Sequence, residues 1–156
     1  MKQIAILSDT HGLLREQVLV ELAGADCSIH AGDINTPQIV ETLQQLGVSY
    51  VVRGNNDKDW AVAMPKSITA TIEGVRFFIV HKKKDIPKHL TNVDVVIYGH
   101  SHKYSAEVMN GVLYLNPGSC GKRRFDLEIT MCRMTVDAGK YQYEKVLIDE
   151  KIPIKL

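Results

Sequence analysis

Cysteines are few in this sequence, and they form none of the pairs that indicate a disulfide framework or a thiolate zinc site. The three cysteines, Cys27, Cys120 and Cys132, are far apart, and no C-x-x-C pair occurs. An odd number of widely spaced cysteines argues against structural disulfides. We therefore expect reduced thiols in a reducing compartment.

Long apolar runs and a strong net charge are also missing. The apolar run near the N-terminus, Ile4–Leu7, is too short for a signal peptide or a membrane span. The net charge is +1, so the chain as a whole does not attract nucleic acid or a membrane surface. We expect a cytoplasmic protein with no membrane partner, and nucleic acid is not the expected ligand. The length of 156 residues, 45% of them hydrophobic, fits a single domain over residues 1–156.

The first half of the chain has the pattern of alternating strands and helices. Apolar runs predict buried strands at Ile4–Leu7, Cys27–His30 and Val48–Val52. Apolar residues at helical spacing between positions 14 and 22 predict a helix that ends at Gly24. A second helix is predicted from the Thr36-Pro37 start signal to Gly47.

The second half is rich in hairpin signals. Glu73-Gly74, Asn110-Gly111 and Asp137–Lys140 each separate two strand-like runs. A short helix is predicted at Asp85–Leu90, before a strand at Val93–Tyr98. Two sheets packed together with helices outside would accommodate both halves. The other predicted strands are Ile68–Ile72, Arg76–Val80, Tyr104–Met109, Val112–Leu115, Leu127–Val136 and Tyr141–Ile148.

Five of the predicted strands are followed directly by side chains that can bind a cation. In open α/β sheets, sites form beyond the carboxyl ends of the strands, so one fold could bring all five groups to one edge. The groups are Asp9 with His11, Asp33, Asn55 to Asp57, His81, and His100 with His102.

The spacing and the chemistry of these groups predict more than one metal ion. Asp9 and His11 are separated by one residue, as are His100 and His102. In an extended segment such pairs point to the same side, so each pair could direct two ligands to one place. Carboxylate, imidazole and amide donors without thiolate suit Mn, Fe, Ni, Co or Zn. Seven donors, with one counted from Asn55 to Asp57, exceed one tetrahedral zinc and fit two metals that share a carboxylate, an arrangement that promotes phosphoryl transfer.

The ordered motifs resemble the signature blocks of the calcineurin-like metallophosphoesterases. Leu115–Ser119 resembles a further block of their small bacterial and archaeal branch, which includes the YfcE-like phosphodiesterases and is related to the retromer subunit Vps29. The resemblance extends from residue 3 to about residue 120, and it implies a four-layer α/β/β/α sandwich. The blocks are Asp9-Thr10-His11, Gly32-Asp33, Gly54-Asn55-Asn56-Asp57, His81 and Gly99-His100-Ser101-His102.

The resemblance also implies a role for each ligand in a site with two divalent cations. Mn²⁺ is the first expectation, with Ni, Fe, Co or Zn as alternatives. A metal-bound hydroxide would attack the phosphorus of a small phosphate ester in line. Asp9, His11 and His102 would hold one metal, Asn55, His81 and His100 would hold the other, and Asp33 would bridge both.

Two positions depart from the family pattern. Many relatives have a histidine at the position where this chain has Asn56. We assign Asn56 to catalysis and substrate binding, and we also assign the metal ligand Asp33 to catalysis. Asparagine donates a hydrogen bond but supplies no proton, so substrates with poor leaving groups should be hydrolysed slowly. Relatives usually have glycine at the position of Lys82, a residue that could contact the substrate phosphate or crowd the site.

The resemblance to the YfcE-like branch, together with the single negative charge of a diester, favours a phosphodiesterase over a phosphomonoesterase. Two other functions stay open. One is a non-catalytic scaffold like Vps29, which the intact set of ligand residues argues against. The other is a metal-dependent nuclease, which the basic clusters Lys82–Lys84 and Lys122–Arg124 keep open. Small relatives are often dimers, but no interface for a homodimer can be identified from the sequence.

Overall fold

Two five-stranded sheets pack face to face in the computed structural model, which describes residues 1–124 and 126–150. The helices of the described residues are α1 (Glu16–Ala23) and α2 (Pro37–Leu46), and neither is long and apolar enough to cross a membrane. The strands are β1 (Lys2–Leu7), β2 (Cys27–His30), β3 (Val48–Val51), β4 (Ser67–Ile72), β5 (Val75–Val80), β6 (Val95–Ile97), β7 (Ser105–Met109), β8 (Val112–Asn116), β9 (Thr130–Asp137) and β10 (Lys140–Leu147).

The first sheet has the strand order β10-β9-β1-β2-β3. Strands β1, β2 and β3 are parallel, and α1 and α2 form the connections between them. Helix α2 begins at Pro37 as predicted, although the side chain of Thr36 makes no capping hydrogen bond. Because the three strands are parallel, their carboxyl ends, and the loops that follow them, lie at one edge of the sheet.

The second sheet has the strand order β4-β5-β6-β8-β7. Its central strands β5, β6 and β8 are parallel, while the outermost strands β4 and β7 are antiparallel to their neighbours. Because β5 and β6 are parallel, the loops that follow them leave the sheet on the same side, at the carboxyl ends of the strands. These loops contain the predicted ligands from the second half of the chain.

Alternating side chains of the strands separate two hydrophobic cores. On β1, Ile4 and Ile6 face the second sheet, where they join a cluster that includes Phe77 and Ile97. Ala5 and Leu7 point the other way, into a second cluster with the apolar faces of both helices. Each fully buried aliphatic or aromatic side chain contributes roughly 1.5–3 kcal/mol. The two cores hold β1 between a helical layer and the second sheet.

The three predicted hairpins are confirmed. The turns Glu73-Gly74, Asn110-Gly111 and Ala138-Gly139 connect β4 to β5, β7 to β8 and β9 to β10. Both residues of each turn have positive φ, for example 52° at Asn110 and 78° at Gly111. This is the turn conformation whose twist matches antiparallel strands.

The predicted helix at Asp85–Leu90 is wrong. The chain forms a single turn of 3₁₀-helix at Lys83–Asp85, and Ile86 is already extended, with φ −72° and ψ 126°. Pro87 explains the difference, because a proline disfavours helical geometry in the residue before it. The α/β fold with two packed sheets is confirmed, and both α-helices of the described residues cover the first sheet.

Candidate metal centre

Six of the seven predicted metal ligands form two adjacent clusters at the carboxyl ends of the strands. In each cluster the candidate ligand atoms all lie within 4.8 Å of one another. Each cluster combines side chains from loops of both sheets. The first cluster is Asp9, His11 and His102, and the second cluster is Asp33, His81 and His100.

The donor atoms of the first cluster point at a common centre. His102 Nε2 lies 3.3 Å from His11 Nε2 and 3.4 Å from Asp9 Oδ1. Asp9 Oδ1 is 3.8 Å from His11 Nε2. Asp9 and His102 are buried, while His11 is partly exposed. Two imidazoles and a carboxylate at this spacing are a donor set that suits a borderline divalent cation.

Asp33 lies between the two clusters. Its Oδ2 atom is 3.2 Å from His81 Nε2 in its own cluster and 3.7 Å from His11 Nε2 in the other. Asp9 Oδ1 lies 4.0 Å from His81 Nε2, so the two clusters are in contact. The two clusters are therefore consistent with a dinuclear metal site.

Buried ligand atoms without a hydrogen-bond partner indicate that these clusters fit cations. Asp9 Oδ1 and His81 Nε2 are buried, and neither has a hydrogen-bond partner among the described residues. An unpaired buried acceptor or donor costs roughly 1–3 kcal/mol, so such atoms are rare unless a ligand uses them. A cation in the first cluster would satisfy Asp9 Oδ1, and a cation in the second would satisfy His81 Nε2. His102 Nδ1 is also buried and unpartnered in the described structure, and nothing around it explains this.

The backbone that presents these ligands is left-handed, not extended. Five of the six clustered residues have positive φ, between 47° at His11 and 76° at His100. The expectation that each i, i+2 pair points to one side of an extended segment is therefore wrong in its geometry. Asp9 and His11 still share a cluster, but His100 and His102 belong to different ones. Positive φ costs a non-glycine residue about 1–2 kcal/mol, and such strain concentrates at functional sites.

Hydrogen bonds fix the orientation of Asp9. Its Oδ2 accepts the Ser8 hydroxyl at 2.7 Å and the His100 N–H at 3.1 Å. The Ser119 hydroxyl donates to the backbone carbonyl of Asp9 at 2.9 Å. These bonds occupy one carboxylate oxygen and leave Oδ1 directed at the cluster.

A backbone carbonyl sets the tautomer of His81. Its Nδ1 lies 2.7 Å from the carbonyl oxygen of Ala31, which can only accept a hydrogen bond. The proton is therefore on Nδ1, and Nε2 is the atom that can ligate a metal. A carbonyl or carboxylate that accepts from the second ring nitrogen is the usual support of a ligating histidine.

Asp57 is a structural support of the candidate site, a role that the sequence did not reveal. This buried carboxylate accepts four backbone N–H groups at 2.8–2.9 Å, from Asp33, Ile34, Asn35 and Gly54. It thereby ties the loop after β2 to the loop after β3. The only sequence signal was its place in the Gly54–Asp57 block, next to residues with obvious ligand chemistry.

His30 links two ligand loops through both ring nitrogens. Nδ1 accepts the Gly32 N–H at 3.0 Å, so the ring proton is on Nε2, which lies 3.0 Å from the Thr10 hydroxyl. Complete burial lowers the pKa of His30 to about 3, so the ring is neutral. His30 therefore supports the loops without contacting a metal-ligand side chain.

The Leu115–Ser119 block holds the loop that carries His100 and His102. The Asn116 amide nitrogen donates to the Gly99 carbonyl at 3.1 Å and to the Ser101 hydroxyl at 3.0 Å. Together with the bond from Ser119 to Asp9, this places the block behind both clusters as a support.

Three further predicted site residues lie around the second cluster. Asn55 is exposed and lines a cleft of about 570 Å³ together with His81 and Lys82. Asn56 donates its backbone N–H to Asp33 Oδ1 at 2.9 Å and its side-chain amide to Asp33 Oδ2 at 3.2 Å. Lys82 is half-buried and also lines a second cleft, beside His100.

The electrostatics of the two clusters favour cation binding. Burial raises the pKa of Asp9 to about 6. Burial also tends to raise the pKa of Asp33. The adjacent His81 and the Asn56 N–H outweigh burial and lower this pKa to about 2. Burial and the neighbouring His11 lower the pKa of His102 to about 4, so its ring is neutral at pH 7 and able to ligate.

The pKa values of two other imidazoles in the clusters are also lowered. Burial lowers the pKa of His11, helped by the positive charge of Arg124. Burial also lowers the pKa of His100, helped by His81 and Lys82. For His81 burial is outweighed by the carboxylates of Asp33 and Asp9, which raise its pKa. The negative charge that favours a proton on His81 would equally favour a metal ion.

Comparison with known proteins agrees with this geometry. Residues 1–139 match the calcineurin-like phosphoesterase superfamily domain. The chain belongs to this superfamily. It is 32% identical over 129 residues to a Bacillus subtilis protein named "Probable metallophosphoesterase YsnB", covering 74% of this chain and 73% of that protein. It is 29% identical over 139 residues to a phosphodiesterase of Methanocaldococcus jannaschii, covering 76% of this chain and 84% of that one.

Solved structures show the same fold at lower sequence identity. The phosphoesterase YfcE from E. coli superimposes with a TM-score of 0.69 at 23% identity, covering 94% of this chain and 99% of that one. Vps29 from Entamoeba histolytica, solved with zinc, gives a TM-score of 0.78 at 17% identity, covering 98% of this chain and 97% of that one. The superfamily fold is thus shared by proteins described as phosphoesterases and by Vps29.

Proposed function

We propose that this protein is a metal-dependent phosphodiesterase with two divalent cations in its active site. The observation that carries the proposal is the position of Asp33, whose Oδ2 lies within 4 Å of imidazole nitrogens from both clusters. A carboxylate in this place suits the shared ligand of a dinuclear site. The unpartnered Asp9 Oδ1 and His81 Nε2 support the same reading.

Each ligand has a proposed place in this centre. Asp9, His11 and His102 would hold one cation, and His81, His100 and Asn55 the other. When bound, two divalent cations supply an activated water and neutralise negative charge on the phosphoryl oxygens. Mn²⁺ is our first candidate, because oxygen and imidazole donors without thiolate accept it readily.

The protein's own groups would then orient the ester. The Asn56 amide, held beside Asp33, is placed to donate a hydrogen bond to a phosphoryl oxygen. Lys82, at the junction of two clefts beside the second cluster, adds positive charge for the phosphate. Neither group is suited to protonating a leaving oxygen at neutral pH, so the enzyme should prefer esters with good leaving groups.

A diester is the proposed substrate, for two reasons. A relative with 29% identity is named a phosphodiesterase. In addition, a diester carries one negative charge, and its leaving oxygen can be stabilised by a cation without a protein acid. We propose a small ester and not a nucleic acid, because a net charge of only +1 gives the chain little general attraction for a polyanion.

The test is metal-restored hydrolysis by protein that has been stripped with a chelator. Mn²⁺, Ni²⁺, Co²⁺, Zn²⁺ and Mg²⁺ are added back one at a time, and release of p-nitrophenol is followed from bis-p-nitrophenyl phosphate and p-nitrophenyl phosphate. We expect turnover with Mn²⁺, faster with the diester, and none with Asp33→Asn. Tight metal binding without turnover of either ester would favour a scaffold like Vps29 in which the metal is structural.

A further inference from the structure

A cleft of about 530 Å³ opens directly beside His100 and is lined by four lysines. Lys82, Lys83 and Lys84 come from the loop after β5, and Lys103 follows the His100–His102 loop. No aspartate or glutamate lines this cleft. We call it the lysine cleft.

The positive charge of the lysine cleft is a local excess. The whole chain has a net charge of +1, yet this cleft has four cations and no carboxylate. None of the four ammonium groups forms an ion pair within residues 1–124 and 126–150, whereas Arg76, Arg133 and Lys145 all pair with carboxylates. Clustered like charges repel one another, so an unpaired cluster in a concave site favours an anionic ligand.

The aromatic rings of the cleft are partly covered by burial or by lysine side chains. The Lys83 ammonium lies 5.9 Å from the centroid of the Tyr98 ring, and Tyr98 itself is buried. The Lys145 ammonium lies 5.4 Å from the centroid of the Tyr104 ring. Binding to single-stranded nucleic acid uses exposed aromatic faces, so this cleft is built for recognition of charge.

A hydroxyl adds a directed donor to the cleft. Ser101 Oγ accepts hydrogen bonds from the Lys103 N–H at 3.3 Å and from the Asn116 amide at 3.0 Å. Because both of these bonds use its lone pairs, the hydroxyl proton can be donated to a ligand oxygen. Lysines around a fixed hydroxyl suit a phosphate group, which offers three acceptor oxygens and negative charge.

We propose that the lysine cleft binds a second, non-reacting phosphate of the substrate, so that the natural substrate is a small organic ester with at least two phosphate groups. The proposal rests on the proposed function, because the reacting phosphate would lie at the metal centre. His100 belongs to the second metal cluster and also lines the lysine cleft, so a group attached to the reacting phosphate can enter the cleft directly. A nucleoside with a phosphodiester at one end of its ribose and a phosphate group at the other has the required chemistry.

The test compares two chromogenic diesters that differ by one phosphate. Thymidine 5′-(p-nitrophenyl phosphate) has only the reacting phosphate, and its 3′-phosphorylated derivative has a second one. For the Mn²⁺-loaded protein we expect kcat/KM to rise about tenfold with the second phosphate, the effect of one good ionic contact. This advantage should shrink as salt is added, because solvent-exposed charges are screened.

The variant Lys84→Gln/Lys103→Gln should bring the ratio of the two kcat/KM values close to one. The control Lys140→Gln changes a lysine of the same type at the start of β10, next to Asp137 and near the amino end of β1, away from the ligand loops. It should keep the wild-type ratio. A ratio near one in the wild-type protein, or a wild-type ratio in the double variant, would overturn the proposal.

A binding measurement separates this proposal from the proposed function. Calorimetry with the full chain in EDTA, where no metal-dependent turnover occurs, compares thymidine 3′,5′-bisphosphate with thymidine 5′-monophosphate. Tighter binding of the bisphosphate that is lost in the double variant supports the lysine cleft even if no ester is hydrolysed. Equal affinities overturn it, and so does an oligonucleotide that binds more tightly than the bisphosphate.

Discussion

The carboxylate of Asp57 accepts the backbone N–H of Asp33 at 2.9 Å, so a buried acid that belongs to neither candidate cluster fixes the backbone of the proposed shared ligand. The same carboxylate binds the N–H groups of Ile34, Asn35 and Gly54. The position of Asp33 therefore depends on a neighbour with no direct part in the chemistry.

Replacing Asp57 should weaken both the fold and the metal site. In Asp57→Asn the amide NH₂ would face backbone donors, and we expect a loss of about 2–4 kcal/mol in the free energy of unfolding. Metal affinity should fall about 10- to 100-fold, as with other groups that orient ligands. Urea unfolding of the metal-free protein and metal titration measure the two effects. Asp59→Asn, an exposed change two residues away, is the control, and equal behaviour of the two variants would contradict the role of Asp57.

Changes at two ligands should have different effects on metal content. Asp33→Asn removes charge from the proposed shared ligand, so it should weaken both cations and reduce turnover at least about 100-fold. His102→Ala should mainly weaken one cation, because this ring belongs to the first cluster alone. Metal analysis after dialysis gives the stoichiometry. Wild-type metal content and turnover in Asp33→Asn would show that this carboxylate is not shared.

The glycine before His100 should tolerate no side chain. A Cβ atom on Gly99 would lie 2.1 Å from Ser8 Oγ and 2.8 Å from Asp9 Oδ2. Gly99→Ala should displace the Ser8 side chain from Asp9 and reduce metal affinity. Gly24→Ala is a matched control, since its Cβ would meet nothing closer than 3.7 Å. Unchanged metal binding in Gly99→Ala would mean that the bond from Ser8 to Asp9 does not matter.

Asn56→His should widen the range of leaving groups. An imidazole at this position could donate a proton to the leaving oxygen, which the amide cannot do. We expect hydrolysis of an alkyl phosphodiester to rise about tenfold or more relative to that of bis-p-nitrophenyl phosphate, since a well-placed general acid contributes roughly 10²–10⁴-fold. Asn56→Gln keeps an amide and should show no such change. A constant ratio in Asn56→His would place this side chain away from the leaving group.

His30 should make stability depend on pH. Its pKa is about 3 in the folded protein, against an ordinary value of 6.5, so the unfolded chain binds the additional proton. The contribution of neutral His30 to the free energy of unfolding is fully present above pH 6.5 and is lost as the pH falls toward 3. Between pH 6.5 and pH 5 the free energy of unfolding should fall by up to about 2 kcal/mol. His30→Gln should reduce the dependence of the free energy of unfolding on pH between 6.5 and 5, measured by urea unfolding of metal-free protein. An unchanged dependence would show that His30 is not its cause.

Features that depend on local sequence could be predicted, and features that depend on packing could not. The hairpins followed from turn chemistry, and the convergence of Asp9, Asp33 and His81 followed from parallel strands ending at one edge. The left-handed backbone at the ligands, by contrast, is imposed by contacts between loops. The same is true of His30 and Asp57, whose hydrogen bonds with Thr10 and Asp33 join loops that are 20 and 24 residues apart in the sequence. The helix expected at Asp85–Leu90 does not form, because Pro87 disfavours helical geometry at Ile86, whose backbone is extended.

Each candidate metal cluster combines side chains from both sheets, so metal binding there would affect the stability of the whole molecule. Cations bound there would act as a cross-link between the sheets, since separating or sliding them would break metal–ligand bonds. Ligands that bind only the folded state stabilise it, by about 2.7 kcal/mol at a concentration 100 times the dissociation constant. The melting temperature would then report metal occupancy, and the amount of folded protein in a cell would rise and fall with the metal supply.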